Sequence, residues 1–132
     1  MITKGIKALC AEAEEEIETL SVDDVKAVID DPNVQLVDIR DIRELWRDGT
    51  IPGAIHAPRG MLEFWVDPDS PYHRELFAQD KKYVLYCASA WRSALATKTV
   101  QDMGMENVCH MAGGFSAWKE ADKTIEQLAP KP

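Results

Sequence analysis

The 132-residue sequence predicts an α/β domain, a three-layer fold with a mostly parallel central sheet and helices on both faces. Three observations carry this expectation. VQLVDIR (34–40), YVLY (83–86) and NVCHM (107–111) are short apolar runs of the kind found in strands buried on both faces. Capped or amphipathic segments lie between them, and the two kinds of segment alternate along the chain. In such sheets ligands sit beyond the carboxyl ends of the strands, where Asp38, Arg40 and Cys87 all fall.

Taken in order, residues 2–17 predict a helix with Ile2, Ile6, Leu9, Ala13 and Ile17 near one face. Glu12, Glu14, Glu15 and Glu16 fall mostly on the others and read as a solvated face. A second helix starts at Ser21, with Asp24 placed for a capping box, Val22, Val25, Val28 and Ile29 at helical spacing, and a stop at Asp31-Pro32. After the strand at 34–40, a helix is predicted over Asp41 to Asp48, and a short strand over Ala54 to Ala57 follows the Ile-Pro-Gly turn. A short helix runs from Arg59 to Trp65, VDPDSPY is a loop, and Glu75 to Phe77 form a helical turn. The strand at 83–86 leads to a helix from Ser93 to Met103 that ends near Gly104, and the strand at 107–111 follows. Residues 115–129 have helical character, with Ala129-Pro-Lys-Pro as a frayed tail. The chain divides into an N-terminal helical extension (1–18), one domain (19–125) and a C-terminal tail (126–132).

An apolar fraction of 45% and this length suit a single buried core without disulfide staples. No apolar run approaches the roughly 20 residues that span a membrane, and the N-terminus lacks the features of a secretory signal. The cysteines at 10, 87 and 109 are odd in number and make no disulfide framework, which points to a reducing cytoplasm. The net charge of −8 repels phosphate backbones and anionic membranes, so neither nucleic acid nor membrane is an expected partner. Any anion must be captured by local geometry.

That geometry is expected at Cys87. A strand ending in cysteine, a short loop and a helix start near Ser93 aim the loop's N–H groups at the sulfur. The same donors favour thiolate over thiol, and Arg92 either strengthens this or anchors the loop to a carboxylate. The competing reading is a small buried core cysteine. It has less weight, because core cysteines do not usually precede a Ser-containing loop closed by Arg-Ser.

The loop CASAWRS, Cys87 to Ser93, resembles the active-site signature of the rhodanese family, a Cys with Arg five positions on and then Ser or Thr. LVDIRDIRELWRDGTIPGAIHAP, Leu36 to Pro58, is similar to the family's strand-helix-turn region, and Gly113-Gly114-Phe115 with Trp118 resembles its closing motif. The resemblance runs from about Thr19 to Lys119. Thr50 stands where the family commonly has His, a position read as structural. The N-terminal extension lies outside the resemblance, and no function is assigned to it.

The resemblance implies a rhodanese-like, single-domain sulfurtransferase. Cys87 takes a sulfane sulfur from a donor such as thiosulfate or a persulfide and passes it, through a Cys87 persulfide, to a nucleophilic thiol or protein acceptor. Ala88, Ser89, Ala90, Trp91, Arg92 and Ser93 would bind the substrate, with no metal or organic cofactor. Two other classes compete. Phosphatases and arsenate reductases on this fold resemble a Cys followed by five residues and then Arg, whereas here four intervene, Ala88 to Trp91, making a cradle suited to a single sulfur atom. A non-catalytic binding module of this fold often lacks the cysteine, which this chain keeps.

Around the loop, Asp38 is expected to give structural support, by hydrogen bonds or an arginine pair, and Arg40 to face the anionic donor, with a structural ion pair as the alternative reading for both. Trp91 is expected to cover the pocket mouth or meet a partner surface. With no Lys and a single Arg in the loop, thiosulfate is expected to be a poorer donor than a persulfide or an organic sulfur compound. Phe64 and Trp65 line the same pocket or pack in the core. Cys109 reads as a core residue, Cys10 has no spacing that recommends a resolving role, and His56, His73 and His110 read as ordinary hydrogen-bonding residues.

Overall fold

The computed structural model describes residues 1–129. Five strands form one all-parallel sheet: β1 (Glu18–Leu20), β2 (Val34–Asp38), β3 (Ile55–His56), β4 (Lys82–Tyr86) and β5 (Val108–Met111), in the order β1-β5-β4-β2-β3. Six helices accompany them: α1 (Ile6–Glu16), α2 (Val22–Val28), α3 (Ile42–Asp48), α4 (Leu62–Val66), α5 (Trp91–Asp102) and α6 (Gly114–Glu120). The fold is the expected α/β class, and no described helix is long and apolar enough to cross a membrane.

Strand periodicity divides the core in two. Val37, Ile39, Tyr83, Leu85, Cys87 and Val108 pack on one face with Ala96 and Val100 of α5 and Leu62 of α4. Leu36, Val84, Tyr86, Cys109 and Met111 point the other way, onto Val25 of α2 and Phe115 and Trp118 of α6. Every central strand is thus apolar on both sides, which is why the sequence shows runs and not alternation.

Two helix starts are set by capping boxes. Ser21 Oγ accepts from Asp24 N at 3.0 Å while Asp24 Oδ2 accepts from Ser21 N at 3.2 Å. Asp41 and Glu44 repeat the arrangement at α3.

Three expectations need correction. The first helix begins at Ile6, not residue 2, leaving Met1 and Ile2 exposed. Glu18–Leu20 is a strand that the sequence did not announce, since two of its three residues are exposed and it is held only along β5. The helix expected over 115–129 stops at Glu120: Asp122 takes a positive φ of 55°, Trp118 Nε1 donates to Thr124 O at 2.8 Å, and Glu126 pairs antiparallel with Thr50. Of the expected frayed tail, residues 130–132 lie outside the described residues.

Candidate active site

Cys87 follows directly on β4 with no exposed surface. Its Sγ accepts from the backbone N–H of Ala90 at 3.2 Å and of Ser93 at 3.3 Å, and its thiol lies 3.6 Å from Ser93 Oγ. The turn works because Ala90, just before α5, adopts φ 81°, a left-handed conformation that an alanine rarely takes. This turns its N–H onto the sulfur. Strain held at such a position is of order 1 kcal/mol or more and needs support from the surroundings.

The support comes from α6. Phe115 N donates to Cys87 O at 2.7 Å and Ser116 N to Ala88 O at 3.0 Å, so the helix start grips the back of the loop. Gly114 permits the approach: a Cβ there would lie 2.5 Å from Cys87 O and 2.7 Å from Ala88 C, and its φ is +61°.

Arg92 anchors the loop from the side. Its guanidinium makes a two-pronged bond to Glu44, at 2.8 and 3.0 Å, and the capping box at Asp41 holds that carboxylate in place. The arginine holds the Glu44 carboxyl below its usual range, and Glu44 in turn raises Arg92. Of the remaining loop residues, Ser89 and Trp91 are exposed and Ala88 is half-buried.

Arg40 is not where it was expected. It is buried and bonded to Asp38 by Nε at 2.9 Å and Nη2 at 2.7 Å; Nη2 also donates to Gly49 O at 2.7 Å, and the guanidinium lies 4.2 Å above the Phe115 ring. It therefore turns inward and offers no charge to an incoming donor. The physical reason is Asp38, fully buried two residues earlier, whose carboxylate needs a cation and takes the nearest one. Asp38 also accepts from Thr50 Oγ1 at 2.9 Å, and Thr50 Oγ1 lies 2.8 Å from the Tyr86 hydroxyl, which burial pushes up beyond the usual tyrosine range. Thr50 is thereby a structural position.

The other candidates occupy other places. Trp65 stacks under Arg74 and packs against the core, while Phe64 is exposed and meets the edge of Tyr72. His56 Nε2 lies 2.7 Å from Arg40 O. Cys109 is buried on the opposite face of the sheet, and burial pushes its thiol up to about 12.

Sequence reasoning missed the partners that α1 brings. Cys10 Sγ lies 3.7 Å from Trp91 O, its thiol raised by burial and then by the charges of Glu14 and Cys87. His110, fully buried on β5, places Nδ1 2.8 Å from Ser93 Oγ, and Glu14 Oε1 lies 2.9 Å from His110 Nε2. The ring N–H and the carboxylate are close enough for an ion pair but not aligned for a hydrogen bond. No spacing in the sequence connects residue 14 with residue 110.

The Rhodanese-like domain family model matches residues 21–121. The chain is 26% identical to the human thiosulfate:glutathione sulfurtransferase over 79% of its own length and 95% of that protein. It is also 26% identical to the mouse thiosulfate sulfurtransferase/rhodanese-like domain-containing protein 3, over 72% of this chain, and spans 64% of that relative's length. A solved structure from Rhodopseudomonas palustris, of a protein of unknown function called a possible tyrosine phosphatase, superposes with a TM-score of 0.92 at 54% identity, covering 96% of this chain and 97% of that one. The strand-loop-helix around Cys87 and the match across 21–121 agree: the chain belongs to the rhodanese-like domain family.

Proposed function

We propose that this rhodanese-like domain is a sulfurtransferase that carries a sulfane sulfur as a persulfide on Cys87. The observation that supports it most is the pair of backbone N–H groups, from Ala90 and Ser93, aimed at Cys87 Sγ at the carboxyl end of β4. In the first step the Cys87 thiolate attacks the outer sulfur of the donor. The Sγ–S bond forms, the donor's bond to that sulfur breaks, and the donor leaves with the electron pair. In the second step an acceptor thiolate attacks the outer sulfur, and Cys87 thiolate is released. The loop amides suit both steps because they stabilise negative charge on sulfur without having to reorganise. Cys87 is free, as this chemistry needs.

The donor is a persulfide or organic sulfur compound in preference to thiosulfate. Both arginines near the loop are already paired, Arg40 with Asp38 and Arg92 with Glu44, and the chain's net charge of −8 opposes a small dianion.

The Rhodopseudomonas palustris relative called a possible tyrosine phosphatase favours a second reading, phosphate ester hydrolysis through Cys87. Sulfur transfer is preferred because four residues separate Cys87 from Arg92 and that arginine is turned onto Glu44, leaving a cradle sized for one sulfur atom and not for a tetrahedral oxyanion.

The test is intact mass before and after a low-molecular-weight persulfide or thiosulfate, then after cyanide, with Cys87→Ser alongside. A gain of one sulfur that cyanide removes as thiocyanate and that Cys87→Ser abolishes is expected. No gain with either donor, together with Cys87-dependent hydrolysis of an aryl phosphate, would replace this reading with the second.

A further inference from the structure

Behind Cys87 a line of side chains runs from the sulfur into the N-terminal extension. Ser93 Oγ lies 3.6 Å from the Cys87 thiol, His110 Nδ1 2.8 Å from Ser93 Oγ, and Glu14 Oε1 2.9 Å from His110 Nε2. Cys87, Ser93 and His110 are fully buried, while the Glu14 side chain is 40% exposed. Glu14 is held in this place: Thr19, which sits beside His110 in the β1–β5 register, donates from Oγ1 to Glu14 Oε2 at 2.9 Å. The extension is tied to α5 further along, where Gln101 Nε2 donates to Glu16 O at 2.8 Å and Lys98 pairs with Glu16 at 2.9 Å.

The direction of the protons follows from the partners. A carboxylate beside Nε2 favours the tautomer with the hydrogen on that nitrogen, which leaves Nδ1 as an acceptor. Ser93 has one hydroxyl hydrogen and two candidate acceptors, Ala90 O at 3.3 Å and His110 Nδ1 at 2.8 Å; the shorter contact takes it. The Ser93 oxygen is then free to accept from the Cys87 thiol.

We propose that Glu14, His110 and Ser93 form a proton relay that takes the thiol proton from Cys87 and stores it on His110, so that the N-terminal extension completes the active site. The thiol proton passes to Ser93 Oγ as the Ser93 proton passes to His110 Nδ1. Cys87 becomes thiolate and His110 becomes imidazolium facing the Glu14 carboxylate. The proton returns by the same path once the sulfur has left. Ser93 touches the reacting sulfur, whereas His110 and Glu14 act through it and are positioning residues. The extension lies outside the 21–121 family match, so this role is additional to the shared domain.

Other groups facing this line are few. From α1 come Glu14 and the Cys10 thiol, and from the first turn of α5 comes Arg92, which Glu44 of α3 already neutralises. His110's register neighbours on β1 and β4, Thr19 and Leu85, are uncharged.

The relay rests on Cys87 being the reactive sulfur proposed above, and its test uses no sulfur donor, so failure of sulfur transfer is seen separately. The measurement is the rate of iodoacetamide alkylation at Cys87, resolved from Cys10 and Cys109 by peptide mass spectrometry, across pH. Glu14→Gln keeps the shape of a half-exposed side chain and removes the charge. It is expected to slow Cys87 alkylation about tenfold at mildly acid pH and to converge on the wild type at strongly alkaline pH, where hydroxide takes the proton without the relay. His110→Gln, if folded by circular dichroism, behaves likewise. A ratio of variant to wild type that is the same at every pH, whether unity or a uniform loss, would overturn the relay, because packing effects do not follow the thiol's protonation.

Discussion

Two buried polar clusters lie at the carboxyl ends of the neighbouring strands β2 and β4, and they differ in how completely their atoms are matched. At Asp38 each carboxylate oxygen accepts two bonds: Oδ1 from Arg40 N at 3.1 Å and Nε at 2.9 Å, Oδ2 from Arg40 Nη2 at 2.7 Å and Thr50 Oγ1 at 2.9 Å. Arg40 spends its remaining reach on Gly49 O and the Phe115 face. At Cys87 the contacts are 3.2, 3.3 and 3.6 Å, made to a weakly accepting sulfur, and the line behind it ends on a half-exposed carboxylate that is misaligned with its histidine. The first cluster has both carboxylate oxygens filled and fits a role in holding strand, turn and helix together. The second leaves a sulfur whose partners suit either protonation state. Adjacent strand ends with similar polarity thus divide structure from proposed chemistry.

The largest expected effect tests the closed cluster. Asp38→Asn leaves the Arg40 charge buried without its counter-ion, and urea unfolding is expected to show a loss of about 3–5 kcal/mol, the range for breaking one partner of a buried pair. A loss below about 1 kcal/mol would mean that Arg40 reaches solvent, and the contrast between the clusters would fail.

Next comes the grip of α6 on the loop. Gly114→Ala and Gly104→Ala both put a side chain on a positive φ, +61° and +112°, but only the first would drive a Cβ into Cys87 O and the Ala88 backbone. Both are expected to cost about 1 kcal/mol or more of stability. Gly114→Ala should in addition lower persulfide loading of Cys87 by about tenfold to a hundredfold, the scale set by an ångström of misplacement. Equal loading in the two variants would show that the loop keeps its shape without α6.

The same contrast explains what could be read from the sequence. Residue types whose chemistry is local were legible: the Ser21 box with Asp24, the apolar runs, and the cysteine before a short loop all act within a few positions. Asp38 was legible as a structural anchor, but Arg40 was assigned outward because a sequence shows that a charge is present and not which way it turns. Ala90 carries no glycine-like signal for its left-handed turn, since the strain is supported by α6, remote in the chain. β1, the Glu126–Thr50 pairing and the Glu14–His110 contact depend on tertiary placement of short segments with no periodicity of their own.

The smallest effect concerns Arg92 and Glu44, the pair that fixes the loop from the side. Glu44 is held below the ordinary carboxylate range, mainly by the Arg92 bond, so its contribution is fully present above its unfolded value, about pH 4.3, and is lost as pH falls through the lower folded value. With 42% of the Arg92 side chain exposed, solvent screens the pair, and Glu44→Gln is expected to cost less than about 1 kcal/mol at pH 7. The stability difference between wild type and Glu44→Gln should shrink toward zero as pH falls through that lowered folded value, and 1 M salt should reduce it at pH 7. A difference that instead stayed large at acid pH would come from the capping bond to Asp41 N and not from Arg92. A difference at pH 7 as large as that of Asp38→Asn would place the Cys87 loop among the closed clusters, too rigidly held to open its buried sulfur to a donor.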